Sequence, residues 1–334
     1  MQNTLTKHLV LIGLAFNLNS HAYAYAEKAP LIAVGSTPAI AESEKTAEKV
    51  QLKFVPRVGD ERVLRLNVVQ QGTQIGGKRK SIMRQVVGVD TAYRVLSIEK
   101  DGRVRVRATT QSTRFLREVD GKVITRFDSA KAARPVGDAA EILALLNGMT
   151  FVLQLNPNGT IHQIEGKDKI VEQMLDKMKV PKTDREFLRP LMLSSLQGSA
   201  FKNLGNTFAS FAAEEVSVGD SWPKTDVVTM ESNLIYDGKL LLAKRAAGIS
   251  TLHLKSAITP DPNRKAGAEV LPMRGTQSGY YVVDEKTGWT QRAHLEQRWN
   301  ARVNEMGVPI AENVKNARRL YVKMTFDIGT LKAK

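Results

Sequence analysis

The chain has 334 residues, with 49 Lys and Arg against 34 Asp and Glu, a formal charge of +15 and no cysteine. Lacking cysteine, it has no disulfide framework, thiolate metal site, catalytic thiol or lipidated N-terminal cysteine. With 42% hydrophobic and 25% charged residues of mixed sign, its composition is that of a globular protein and excludes wholesale disorder.

Residues 1–26 read as a secretory signal. Lys7 and His8 form a basic start, Leu9 to Phe16 an apolar stretch, and Ala22-Tyr23-Ala24 and Ala24-Tyr25-Ala26 two overlapping cleavage sites, so cleavage is expected after Ala24 or Ala26. The apolar run is far shorter than the roughly 20 residues needed to span a bilayer, and no later stretch approaches that length. A periplasmic or secreted protein with no integral membrane segment is the expectation. Export also changes the meaning of the charge. Nucleic acid is not an expected partner, and anionic envelope polymers or lipid headgroups are the natural counter-charge. Residues 27–49, rich in Ala, Glu, Lys, Ser and Thr, read as a flexible tether.

Residues 50–334 are predicted to form a single α+β domain of largely antiparallel sheet, curved or half-barrel-like. Strand-rich sections at 50–130 and 216–330 flank a mostly helical section with one hairpin at 137–215. Strands are expected throughout Leu52 to Phe127, with tight turns at Asp101-Gly102 and Asp120-Gly121, because both residue types tolerate the positive φ of primed turns. A helix is expected over Ala139–Leu146, stopped by Gly148, and then a hairpin, Thr150–Leu155 and Thr160–Ile164, turned at Asn156-Pro157-Asn158-Gly159. Ile170, Val171, Met174, Leu175 and Met178 fall at helical spacing. Another helix follows Pro181 and carries Pro190, and Ala200–Phe211 is an apolar segment punctuated by glycines. Asp237-Gly238 is predicted as a turn between Ser232–Tyr236 and Lys239–Leu242, and a second turn is expected around Gly248. A late hairpin joins Gly279–Asp284 to Trp289–Val303, where Trp289, Ala293, Leu295, Trp299, Ala301 and Val303 share one face. A sheet apolar on one side needs a cover, and the helical section is the expected one. Val-Gly-Asp recurs at 58–60, 136–138 and 218–220, which hints at an internal duplication.

Patterns of chemistry are sparse. Gly72 to Lys78 has the spacing of a phosphate loop, but Arg79 stands where a magnesium-binding Ser or Thr belongs, so it reads as a hairpin tip. Ser194, Ser195 and Ser199 lack a nucleophile elbow. His162, His253 and His294 are isolated in strand-like runs and predict no metal site. Asp60, Asp138 and Asp220 read as turn caps. No catalytic residue, cofactor or metal is expected. Met174, Met178, Met192, Phe201 and Phe208 are candidates to line an adaptable apolar pocket, or else to form the core. Arg103, Arg105 and Arg107 alternate along one strand face and are candidates for contact with an anionic surface.

Gly159-Thr160-Ile161-His162-Gln163-Ile164-Glu165-Gly166, the later Val218-Gly219-Asp220-Ser221-Trp222, and the Gly279 to Gly288 hairpin together resemble a bacterial family of exported proteins classed as a domain of unknown function. The resemblance covers about Leu52 to Phe326. Many members of that family look like lipoproteins, whereas this chain lacks the cysteine for lipidation. The resemblance implies no activity and no site residues. At the level of fold, the pattern is similar to periplasmic lipid and lipoprotein carriers, in which a curved sheet holds helices on its concave face. The expected function is non-enzymatic binding of a lipid or acyl chain, or of an envelope protein. The alternatives are peripheral binding to anionic envelope polymers and a hydrolase built on an unrecognised carboxylate pair.

Overall fold

The computed structural model describes residues 48–76, 79–131, 135–136, 138–197, 207–228, 234–261, 273–303 and 317–331. The signal (1–26) and most of the tether (27–49) lie outside these residues. The strands are β1 (Glu61–Gly76), β2 (Arg79–Ile98), β3 (Val104–Val119), β4 (Lys122–Asp128), β5 (Thr150–Leu155), β6 (Ile161–Glu165), β7 (Ser221–Val228), β8 (Leu234–Ala246), β9 (Ile249–Pro260), β10 (Arg274–Asp284), β11 (Thr290–Val303) and β12 (Arg318–Leu331). The helices are α1 (Asp138–Leu146), α2 (Lys167–Lys177) and α3 (Lys182–Gln197), the last running through Pro190.

All twelve strands join one antiparallel sheet in the order β6-β5-β3-β2-β1-β12-β11-β10-β9-β8-β7, with β4 added beside β3. The C-terminal strand β12 lies between β1 and β11, so the two strand-rich sections are one continuous sheet. The sheet is open, not closed into a barrel, and it must curl. Phe211 donates its N–H to Asn158 O at 2.8 Å, while Gly219 donates to Leu242 O at 2.8 Å. The chain between them reaches at most about 29 Å when extended. A flat sheet would separate β5 from β8 by about 38 Å. Gly279 on β10, where φ is +153, makes room for β11, because a Cβ there would lie 2.0 Å from His294 O.

Several local expectations hold. Asp120-Gly121 (φ 49 and 80) and Ala247-Gly248 (φ 51 and 75) are tight turns with positive φ at both central residues. α1 ends before Gly148, α2 buries Ile170, Val171, Met174 and Leu175, and the Asn156–Gly159 and Glu285–Gly288 turns lie where expected. Two expectations fail. Asp237-Gly238 is not a turn: β8 runs straight through it. Gly238 faces the covered side of the sheet, where a Cβ would stand 2.2 Å from Lys255 O, so the glycine answers a close strand approach. Nor do strands begin at Leu52. Residues before β1 form an arm in which the N–H groups of Phe54 and Val55 donate to Pro157 O and Thr287 O.

The helices cover only part of the sheet. α1 packs Ala140 and Leu143 on Phe115 and Phe127, α2 reaches β5, and α3 packs on α2. Much of the remaining cover comes from the arm before β1 and a second arm before β7. Phe54 meets Trp289 edge-on at 5.0 Å and Phe208 at 5.6 Å, and Phe208 meets Tyr93 at 5.6 Å.

The duplication hint has a physical basis. In both outer Val-Gly-Asp turns the aspartate accepts the backbone N–H of the residue three before it, Arg57 or Ser217. The glycine N–H and aspartate C=O of each turn then bracket one residue of the next strand but one, Val95 in β2 and Leu242 in β8. A bulge follows that residue in both halves, between Val95 and Ser97 and between Leu242 and Lys244. Matching bulges recur between β5 and β6 and between β10 and β11. Of the middle copy, Gly137 lies outside the described residues and Asp138 begins α1.

Candidate binding site on the covered face

Of the pocket candidates, Met174, Met192 and Phe208 are buried in the main apolar cluster, Met178 packs against it, and Phe201 lies outside the described residues. Of the basic candidates, Arg103 pairs with Asp101 at 2.7 Å and Arg105 grips Glu165 with two hydrogen bonds of 2.6 Å. Arg107 is exposed, opposite Arg94 in the β2–β3 ladder. Gly72 to Gly76 belong to β1, and the expected tip at Gly77-Lys78 lies outside the described residues. Ser199 also lies outside them.

The histidines do not converge. His162 is exposed on β6, while His253 and His294 flank Tyr280 on the outer face. Burial, helped by Lys255, pushes His253 below its ordinary range. His294 Nδ1 lies 2.7 Å from Asp327 and its ring stacks on Tyr280 at 6.0 Å. On the same outer face Asp90 is held by Arg65, Ser112 and Arg114 at 2.8–3.1 Å. Burial opposes its charge, but the hydrogen bonds and cations outweigh burial and hold it below the usual carboxylate range.

The covered face carries a feature that the sequence reading missed. Strand register places Ser256 (β9), Gln277 (β10), Gln297 (β11), Met324 (β12), Gln70 (β1) and Gln85 (β2) side by side in one row, ending at Arg117 on β3. The four glutamines are only 2–4% exposed. Among the described residues no hydrogen bond is made by the side-chain amides of Gln277 and Gln297. The Gln85 amide reaches only the weakly accepting sulfur of Met83, at 3.5 Å. Burial pushes the Arg117 guanidinium below its ordinary range.

The row divides two apolar regions. On one side is the main cluster with its arms and helices. On the other, Trp299, Ala301, Val303, Leu320, Val322, Leu234, Ile258 and Met273 form a second cluster drawn, among the described residues, from the strands and the residue before β10. The available signal was alternation: Gln70 follows Val68, and Gln297 sits between Leu295 and Trp299, all at period two. Chemically the face offers apolar contact and, at one level, neutral donors and acceptors. Among the described residues no three metal-ligating side chains gather, and no helix is long and apolar enough to cross a membrane.

No curated protein matches the sequence. Among solved structures the chain is similar to lipovitellin, described in a study of lipid–protein interactions, with 8% identity, a TM-score of 0.47 and 82% of this chain covered. It spans only 25% of that lipovitellin chain. A second similarity is to DynF from the dynemicin biosynthesis pathway of Micromonospora chersina, with 11% identity, a TM-score of 0.21 and coverage of 91% of this chain and 94% of that one. A family profile matches residues 101–290, which run from the β2–β3 turn to the start of β11, and by that match the chain belongs to the family of unknown function DUF6263.

Proposed function

We propose that this is an exported binding protein of the cell envelope that takes an apolar ligand, a lipid or acyl chain, on the covered face of its sheet without chemistry. The observation that carries the reading is the second apolar cluster. It gathers Trp299, Leu320, Val322 and their neighbours, all buried, on the inside of a curled sheet beyond the row of amides, and among the described residues no helix contributes to it. An apolar interior of this kind suits an irregular hydrocarbon, because contact area rather than directional bonding supplies the affinity. The signal-like Met1–Ala26 segment supports export.

Native mass spectrometry of the protein recovered from the periplasm tests both parts. The expected result is a chain cleaved after Ala24 or Ala26 that carries an adduct of lipid mass, removed by organic solvent. A bare cleaved chain would overturn the lipid reading and turn attention to envelope protein partners. An uncleaved chain found in the cytosol would overturn export.

A further inference from the structure

We infer that the Gln277–Gln297 pair is the recognition point for a neutral hydrogen-bonding group of that ligand, the ester or amide at the head of an acyl chain. The inference rests on the lipid-binding reading and names the ligand's chemical class. The two side chains are cross-strand neighbours, each 4% exposed. Among the described residues, neither amide makes a hydrogen bond. A buried amide needs a donor and an acceptor from somewhere, and an ester carbonyl with its neighbouring hydroxyl, or an amide, offers both.

The surroundings set the polarity of the group. Directly beside the row lie Leu254, Leu295 and Phe326 on one side and Ile258, Trp299 and Val322 on the other. On β8 to β12 the row and its two flanking rows hold no acidic or basic side chain. The cation within the row, Arg117, stands four strand spacings from Gln297, about 19 Å along the sheet. Among the described residues, a carboxylate or phosphate bound at the pair would therefore be buried without a counter-charge. A neutral head with apolar flanks meets no such penalty.

The test uses the full mature chain, stripped of bound lipid on a hydrophobic resin, as wild type and as Q277L/Q297L, which keeps the volume and removes the amides. Three probes are titrated at pH 8: pyrene, which has no hydrogen-bonding group, monolaurin and laurate. Wild type is expected to bind monolaurin at least tenfold more tightly than laurate. The double variant is expected to keep its pyrene affinity and melting temperature while monolaurin affinity falls about tenfold. Equal binding of monolaurin by both proteins, or laurate preferred over monolaurin, would overturn the inference and leave the lipid-binding reading standing. A lower melting temperature in the variant would also overturn it, because the amides would then serve the fold. Failure of all three probes to bind wild type would overturn the lipid-binding reading itself.

Discussion

Asp60 and Asp220 occupy the same place in the two halves of the sheet: each carboxylate accepts a backbone N–H three residues upstream, from Arg57 at 2.9 Å and from Ser217 at 2.8 Å. Each turn then delivers a strand alongside the second strand of its half. Since the geometry is shared, the energetic consequence should be shared too. Asp60→Ala and Asp220→Ala are each expected to lower stability by about 1.5–3 kcal/mol, the worth of a hydrogen bond to a charged acceptor. Chemical denaturation checks this. A large cost at one site with none at the other would contradict the equivalence.

Gly159 and Gly288 hold the arms. A Cβ on Gly288 would lie 2.3 Å from Lys53 O, and one on Gly159 2.2 Å from Ala209 O, both at positive φ. Gly148 also has positive φ, but a Cβ there meets nothing within 4 Å. Gly148→Ala should therefore cost only backbone strain, about 1 kcal/mol. Gly288→Ala should cost roughly twice that or more, because the arm before β1 has to move. Faster amide exchange at Phe54 and Val55 in Gly288→Ala, and not in Gly148→Ala, is the expected signature.

Acid should weaken the fold through its partly buried ion pairs. Two hydrogen bonds from Arg245, at 2.9 and 3.0 Å, hold the Glu285 carboxyl below the usual range, with Ser250 adding a third. Arg105 acts likewise on Glu165. An unfolded glutamate titrates near about 4.3. Stability from these pairs is thus fully present above that pH and is lost as pH falls through the lower folded values. Glu285→Gln should lose on the order of 2 kcal/mol at pH 7 and show a shallower fall in melting temperature below pH 4.3.

Met192 is 1% exposed and Met174 4%, both within the main cluster. Met192→Ala should destabilise by about 2–5 kcal/mol through lost contact and a residual cavity, with pyrene affinity unchanged. Weaker pyrene binding at full stability would instead place the ligand against α3.

Much of the architecture was legible along the chain because it is written locally. Period-two alternation in β11, helical spacing in α2, and Asp120-Gly121 each reflect interactions within a few residues. Asp237-Gly238 misled because the same dipeptide serves two needs. At Asp120-Gly121 it supplies positive φ, whereas Gly238 makes room for the backbone of β9, and a linear pattern does not distinguish a tight turn from a close neighbour.

The sequence by itself determined that this is a cysteine-free, mostly antiparallel α+β chain with repeated strand-opening turns, since those properties depend on composition and neighbouring residues. Only the tertiary structure decided that β12 enters between β1 and β11 and makes one sheet of two sections, that the arms reach across to the turns at Gly159 and Gly288, and that Gln70, Gln85, Gln277 and Gln297 stand in a single row. Each of these joins residues far apart in the chain. Their alignment is set by strand register, which the pairing of whole strands establishes and no local segment encodes.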